Sequence, residues 1–575
     1  MNEIIKKGKK ILFSPQSSVL SAATIIMLMV IVSRVLGLVR QRALAHFFVP
    51  NELSLFFAAF RLPDTIFEVL VYGTFASAFI PVFTKALKKS RRDAWIIAET
   101  VTNIGLIIFI ILAGLVILFS TNLYGILAPG FSLADRDQIV ALTKILFAAQ
   151  GFFVFSYVLT AVLESSRRFL IPAIAPLFYN LGIILGTVIL APKMGLMGPT
   201  IGAVIGAAAH CLIQLPLAMK LGFRLKPIIR LTDDVKKIGR LALPRMIEVS
   251  FLQVTKSVEL ILASLISTAS YTYFTFGNTV QLLPVGLFGT SIAKAALPTL
   301  ARQADNKADF RRTLFGALYQ IAFLIFPVAT ILIVLRIPLV RLIFGTDIFS
   351  WESTVQTGMV VSAFAVGVFF QAANAVMARG FYALHDTKTP VAISLTAITL
   401  NIVADFVLIK TFGLPAWGLA AAFSLGSFVQ SVLLFIFLNK KIGDGTTLKL
   451  FKPIIKALFA SLSSGILMFF LLKFFDRSAW IKQLSFLGKL DGSSQIPFEK
   501  FVLDTRYTVN LLALTIFVIL VGGLFYVALS AFLKSKELYY FVGQLKRLFV
   551  SRKISPIPAK AVESVTPEPN DPNTP

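Results

Sequence analysis

Three groups of ionisable side chains stand inside stretches that are otherwise almost wholly apolar. The first is Arg245, Glu248, Lys256 and Glu259. At about 100° per residue they fall within about 80° of one another on a helical wheel and form one polar stripe. Their two cations and two anions can pair along the helix and glue it to a neighbour, or keep donors available for an anionic ligand, and Arg245 can also sit at the membrane interface. The second group is Arg61, Asp64 and Glu68, on one side of a segment that Pro63 breaks or bends. Arg61 and Asp64 either cap the helix beyond that proline or join Glu68 in a site, since interrupted helices are where membrane carriers build sites. The third group is Arg34 and Arg40, with Gly37 and Gln41 three and seven residues after Arg34, and the isolated Lys294 between Ala293 and Ala295. Arg34 is too deep in its stretch for a headgroup contact alone, whereas Lys294 can either snorkel or face a cavity.

A charge inside lipid is costly unless it meets water or a counter-charge, so each of these groups marks a pathway or a site. Arg34, Arg40, Arg61, Arg245, Lys256 and Lys294 outnumber the acids Asp64, Glu68, Glu248 and Glu259. Such an excess suits a phosphate-bearing ligand, for which Arg offers paired donors and Lys a point charge.

A membrane must surround these groups. Of 575 residues, 57% are hydrophobic and 14% charged, where a soluble domain carries roughly a quarter charged residues. Apolar runs of about 20 residues cross a hydrocarbon core. They recur at 18–39, 54–83, 94–120, 138–163, 171–191, 197–220, 239–266, 271–300, 312–335, 354–378, 389–410, 415–438, 452–475 and 506–533. The expected fold class is an all-α polytopic membrane protein with about fourteen transmembrane helices, because a backbone in lipid must satisfy its own hydrogen bonds. Lys and Arg crowd into alternate loops, at 85–92, 167–168, 220–237, 302–312, 388 and 440–449, and into the tail after 533. By the positive-inside rule both termini are cytoplasmic. The loop at 476–506 mixes both signs and is the exception.

Segments recur at a separation of about 217 residues. Gly202 to Gln214 parallels Gly418 to Gln430, Ser165 to Pro172 parallels His385 to Pro390, and Gly73-Thr74 before Pro81 parallels Gly289-Thr290 before Pro298. Either Gly, Ala and Pro coincide by composition, or two six-helix lobes are related by a pseudo-twofold axis along the membrane normal. The second reading divides the chain into a cytoplasmic N-terminus (1–17), an N-lobe (18–220), a cytoplasmic linker (221–238), a C-lobe (239–438), two appended helices with an extracytoplasmic loop at 476–505 (439–533), and a basic, then disordered, cytoplasmic tail (534–575).

Several function classes are excluded or weakened. The balance of 55 Lys and Arg against 28 Asp and Glu would suit nucleic acid in a soluble protein, but here the charges lie between spans and instead meet anionic lipid headgroups. The single Cys211 permits no disulfide within the chain. His46, His210 and His385 lack metal-ligand spacing, and Asp233-Asp234 has no second acidic cluster. No phosphate-cradling glycine loop is present. No cofactor, metal or catalytic residue is expected. The basic N-terminus and the stretch from Val19 to Leu38 are too long for a signal peptide and form a retained first span.

The motifs Ser33-Arg-Val-Leu-Gly-Leu-Val-Arg40, Phe56-Phe-Ala-Ala-Phe-Arg-Leu-Pro-Asp64, Gly73-Thr-Phe-Ala-Ser-Ala-Phe-Ile-Pro81, Ala128-Pro-Gly-Phe131 and Gly380-Phe-Tyr-Ala-Leu-His-Asp-Thr-Lys-Thr-Pro390 occur in this order. Together they resemble the MurJ (MviN) family, and the likeness covers nearly all the spans. The resemblance implies a fourteen-helix exporter of the multidrug/oligosaccharidyl-lipid/polysaccharide superfamily. It would flip lipid II, the undecaprenyl-pyrophosphate-linked peptidoglycan precursor, in a bacterial cytoplasmic membrane, with its last two helices forming a groove for the lipid tail. Arg34, Arg40 and Arg61 match the family's cavity cations. The sequence departs at Gln41 and Ser54, where acids are common, at Phe67 and Glu68, where arginines are, at Tyr72, where Glu is, and at Thr279, where a cavity Arg is. Arg245, Lys256 and Lys294 either compensate for these losses or serve another polyprenyl-linked substrate.

The expected mechanism is alternating access, driven by membrane potential, a proton or a monovalent cation, with Glu68, Glu248 and Glu259 as coupling acids. The alternatives are a flippase for another polyprenyl-pyrophosphate-linked glycan, a drug antiporter, or a non-transporting scaffold for cell-wall enzymes.

Overall fold

Apolar helices account for nearly all of the described residues. A computed structural model describes residues 19–72, 78–443, 451–477 and 502–550, without the side chains of 19–27, Tyr72, Glu248 and 544–550. Twelve helices among the described residues are long and apolar enough to cross a membrane: Arg91–Leu127, Leu133–Ser165, Leu170–Met194, Met197–Leu221, Asp233–Ile266, Ser270–Arg302, Lys307–Val334, Trp351–Ala383, Lys388–Thr411, Trp417–Ile442, Lys452–Phe475 and Thr508–Phe532. Two further positions precede them. Val19–Phe47 fills the first. The second is an interrupted run of Pro50–Ala59, Arg61–Phe67, a π-helical turn at Glu68–Tyr72, and Ile80–Lys89. This arrangement is consistent with fourteen spans, which are numbered in that order below.

Side-chain caps begin several helices. Ser90 accepts from the Asp93 N–H, Ser132 and Asp135 form a reciprocal box, Thr232 accepts from Val235, and Ser350 from Ser353. Gly222 (φ 116°) ends the sixth span in the left-handed region that glycine enters at no steric cost. The fifth and sixth spans pack backbone to backbone. A Cβ on Gly182 would lie 2.5 Å from the Gly202 carbonyl oxygen, and one on Gly186 would lie 2.5 Å from that of Gly198. In lipid this small-residue seam replaces the hydrophobic drive that holds helices together in water.

Irregularities recur in register. Arg167 and His385, both at φ 58°, lie 218 residues apart, as do Gly195 (φ 57°) and Gly413 (φ 64°). The π-helical turn at Glu68–Tyr72 in the second span is matched by Val285–Thr290 in the eighth, and Gly186–Leu190 in the fifth by Val407–Thr411 in the eleventh. Packing repeats as well. The first span lies on the fifth, the fourth on the third and sixth, and the fifth on the sixth; the seventh lies on the eleventh, the tenth on the ninth and twelfth, and the eleventh on the twelfth. The thirteenth span docks on the ninth and pairs with the fourteenth. Behind them, Phe541 of the final helix Lys536–Val550 stacks on Phe323 of the ninth span at 5.6 Å. The loop at 476–505 lies largely outside the described residues, but its ends are tied where Asp476 bridges Leu503.

Candidate functional site

The halves meet at the end of the bundle where the first span turns into the second. Thr272 donates its hydroxyl to the Pro50 carbonyl at 2.7 Å, so Ser54 must donate to Thr272 Oγ1 at 2.9 Å. Ser54 and Thr272 are themselves 218 residues apart. Arg42 donates to the Leu342 carbonyl at 2.7 Å and Thr346 to that of Ala45 at 2.8 Å. Gly130 brings its backbone so close to the seventh span that a Cβ there would lie 2.0 Å from the Ser264 carbonyl oxygen. Phe57 meets Phe276 edge to face beneath these contacts.

Below the closure, a cavity of about 580 Å³ opens between the first, second, fourth, fifth, sixth and eighth spans. Arg40, Gln41, Asp64, Glu68 and Gln150 supply its polar wall, and Phe153, Tyr157 and Tyr179 much of its aromatic one. A second cavity of about 670 Å³ shares Arg40, Gln41, Tyr157, Pro176 and Thr279 with the first and adds Arg34, Glu164 and Asn180. The Arg34 guanidinium faces the eighth span, 3.8 Å from where a Cβ on Gly286 would be.

A polar chain crosses between the halves beside this cavity. Arg61 donates to Thr65 Oγ1 at 2.8 Å and to Gln253 Oε1; Gln253 Nε2 donates to Glu68. Glu68 in turn accepts from Lys256 Nζ at 2.8 and 3.1 Å. Local sequence explains the placement. The helix breaks at Phe60, which leaves Pro63 in the first turn of the next piece, where its missing N–H matters little. The π-helical turn beginning at Glu68 then alters the helical register.

Structure and expectation therefore differ in several places. Lys256 pairs with Glu68 of the other half rather than along its own stripe. Helical periodicity reports neighbours within a helix and is blind to a partner 188 residues away. Arg61 and Asp64 are not confined to a cap: Arg61 is buried and reaches Gln253, and Asp64 accepts from Gln150 Nε2 at 2.5 Å. Lys294 is exposed and lines neither cavity, because Ala293 beside it takes the buried face of the helix. Arg245 is likewise exposed and lines neither. Glu259 is buried outside both cavities, and the Glu248 side chain lies outside the described residues.

Sequence reasoning missed four groups. Gln150 and Gln253 are neutral and escaped a search for charge. Asp405 and Asn401, in the eleventh span, are buried, and both Asp405 carboxyl oxygens and the Asn401 carbonyl oxygen have no hydrogen-bond partner. Asp405 is within electrostatic reach of Glu259. An ionisable residue inside a span was the available signal for it. Among the described residues no three His, Cys, Asp or Glu converge on a metal site.

Comparison with known proteins supplies the family. The profile described as Lipid II flippase MurJ matches residues 44–489. The chain belongs to the MurJ family. A relative from Vibrio cholerae described as "Probable lipid II flippase MurJ" is 29% identical over 432 residues, covering 72% of this chain and 82% of the relative. One from Thermotoga maritima with the same description is 25% identical over 512 residues, covering 88% and 95%. The solved structure "Lipid II flippase MurJ, inward closed conformation" superposes with a TM-score of 0.70 at 22% identity over 88% of this chain and 98% of that one. An inward-facing multidrug resistance transporter of the MATE family, described as of the MOP superfamily, matches with a TM-score of 0.55 at 14% identity, over 71% and 94%. The protein is thus a multi-pass member of the MurJ family with the fold of these transporters. Its departures from the family pattern now have structural counterparts. Gln41 holds Thr279 at 2.7 Å, Ser54 holds Thr272, and Glu68 holds Lys256.

Proposed function

We propose that this chain flips the lipid-linked peptidoglycan precursor, lipid II, from the inner to the outer leaflet of the bacterial cytoplasmic membrane by alternating access. The carrying observation is a polar, cation-bearing cavity between two similar halves, sealed at one end by hydrogen bonds that run from half to half. With both termini in the cytoplasm, as the positive-inside rule directs, the sealed end is extracytoplasmic and the cavity awaits substrate from the cytoplasmic side. Arg34 and Arg40 hold the pyrophosphate, and Lys256 joins them when it leaves Glu68. The tail remains in lipid along the thirteenth and fourteenth spans, and the basic loops meet anionic headgroups. The protein carries its substrate without a chemical step.

Coupling belongs to buried acids. A carboxyl with neither oxygen partnered asks for a proton or a monovalent cation, and Asp405 beside Glu259 is such a group. Membrane potential adds about 2.3 kcal/mol per charge per 100 mV. Depleting a host of its own flippase while expressing this chain tests the reading, with lipid II translocation scored alongside growth. Wild type should restore both, and Arg34→Ala should lower translocation at least tenfold while inserting normally. Translocation unchanged in Arg34→Ala would remove Arg34 from the substrate site, and rescue of growth with no lipid II movement would assign the chain to another substrate or to a scaffold.

A further inference from the structure

We infer that a cavity of about 620 Å³ on the flank of the C-terminal half is a seat for an aminophospholipid, a lipid whose head joins a phosphodiester to a primary ammonium. It shares no residue with the two cavities between the halves, and the inference is independent of what the protein carries.

Its walls come from the last turns of the eighth span, the start of the ninth, and the half-exposed Tyr540 of the final helix. Depth sorts the lining. Asp309 and Arg312 stand in the first two turns of the ninth span, and Gln320 lies eleven residues beyond Asp309. At about 1.5 Å per residue that is a run of about 16 Å, close to half of a hydrocarbon core of about 30 Å. The charges therefore sit at the basic loop, and beyond them Ile292, Ala295, Ala296 and Ala317 give an apolar floor. Gln320 closes the deep end with an amide that suits an ester carbonyl. A soluble ligand does not match this gradient; a lipid of one leaflet does. Gly316 leaves the room for it, since a Cβ there would meet nothing within 4 Å.

The polar groups choose the head. Asp309 and Arg312 are one helical turn apart, a spacing at which opposite charges commonly pair. No ion pair joins them among the described residues. The Arg312 guanidinium has no partner among those residues, and its donors suit a phosphodiester. Thr313 donates its hydroxyl to Gln303 Oε1 at 2.7 Å. That bond occupies the amide oxygen and leaves the nitrogen as a second donor for the phosphate. Asp309 Oδ2 accepts from Asn306 Nδ2 at 2.8 Å, which leaves Oδ1 for an ammonium N–H. A glycerol head brings net negative charge to Asp309 with no cation to offset it. A choline head brings a cation with no N–H to give. A primary ammonium beside a phosphodiester satisfies Asp309 and Arg312 together.

The test is native mass spectrometry on the full-length protein in detergent, with dioleoyl phosphatidylethanolamine, phosphatidylcholine and phosphatidylglycerol added singly. The readout is the dissociation constant of the first lipid bound. Wild type should hold the ethanolamine lipid about threefold to tenfold tighter than either of the others, the worth of one hydrogen bond. Gly316→Leu fills open space, so the fold should survive while the ethanolamine lipid falls to the weak constant of the other two. Asp309→Asn keeps the side-chain shape and should also erase the preference. Arg312→Ala should weaken the ethanolamine and choline lipids alike, since both lose their phosphate contact. Equal constants in wild type, or an ethanolamine constant that Gly316→Leu and Asp309→Asn both leave unchanged, overturn the site. Tightest binding of the glycerol lipid would give the cavity to an anionic lipid instead. Displacement of the ethanolamine lipid by equimolar undecaprenyl pyrophosphate would give it to the cargo, and either result also overturns the inference.

Discussion

The Lys256–Glu68 pair joins the two halves, so its energy should belong to this conformation alone. Its ammonium and carboxylate approach to 2.8 Å with side chains 43% and 28% exposed. Two unit charges about 4 Å apart attract by about 4 kcal/mol at an effective dielectric of about 20, before desolvation is subtracted. Exposed pairs retain at most about 1 kcal/mol, and breaking a buried pair costs about 3–5 kcal/mol. A half-buried pair lies between, at about 2 kcal/mol, or about a thirtyfold shift between states. Spin labels at Leu133 and Trp351 suit the measurement. Both are exposed, at 78% and 63%, and each begins a helix at the sealed end, one in each half. With Cys211 replaced by Ala and cysteines at these two sites, electron–electron double resonance reports the sealed fraction. A protein that is about 95% sealed should fall to about 40% in Glu68→Gln or Lys256→Met. The double variant should fall no further than either single one, because the second change removes a partner already lost. Unchanged distance distributions in both single variants, or fully additive effects in the double, would refute a state-specific pair.

Gly130→Ala drives a methyl into the Ser264 carbonyl, only 2.0 Å from its built position; the same spin-label pair should shift toward the open distance, with thermal stability in detergent little changed. Asp405→Asn removes the unpartnered carboxyl; replacing choline chloride with sodium chloride, or lowering pH, should raise the melting temperature of wild type by linkage and leave the variant unmoved. Asp386, in the loop after the tenth span, accepts from Lys441 Nζ at 2.5 Å and from the Thr389 N–H at 3.0 Å, which holds its carboxyl at about 2. The folded value lies below the ordinary one, so this stabilisation is complete above about pH 4 and is lost as pH falls toward 2. The melting-temperature gap between wild type and Asp386→Asn should therefore be constant above pH 4 and close below it.

The spans were legible because lipid imposes one rule on every residue that touches it, and runs such as 104–120 and 511–533 carry no charged residue at all. The repeat was legible from Gly, Ala and Pro, the residues that helix seams and bends require. The seam of Gly182 and Gly186 against Gly198 and Gly202 shows why those positions need to be small. Arg34, Arg40, Asp64 and Glu68 were legible as charges in apolar surroundings, and both cavities contain members of that set. Lys294 satisfied the same rule yet lies outside both, since a wheel gives the angle about a helix and not which neighbour fills that angle. Gln41, Gln150 and Gln253 were harder to see. Their roles arise from which donor or acceptor each amide has left after its local bond is made, and that depends on partners such as Thr279 and Asp64 in other spans.

Glu68 ties these lines together. It stands where the family resemblance leads one to expect an arginine, and taken alone it subtracts a cation from a phosphate site. The structure gives it Lys256 on the opposite half, so the local charge is neutral while the halves are sealed at the far end. On the proposed cycle, a phosphate arriving at Arg34 and Arg40 would compete with that carboxylate for Lys256, and it would win only if it supplied more negative charge at similar distance, as a pyrophosphate does. Substrate entry would then weaken the pair that favours this state. On the same reading a head group with a single charge would leave the lock closed, and an ion pair where the resemblance leads one to expect arginine would make the phosphate contact one that only a multiply charged substrate can claim.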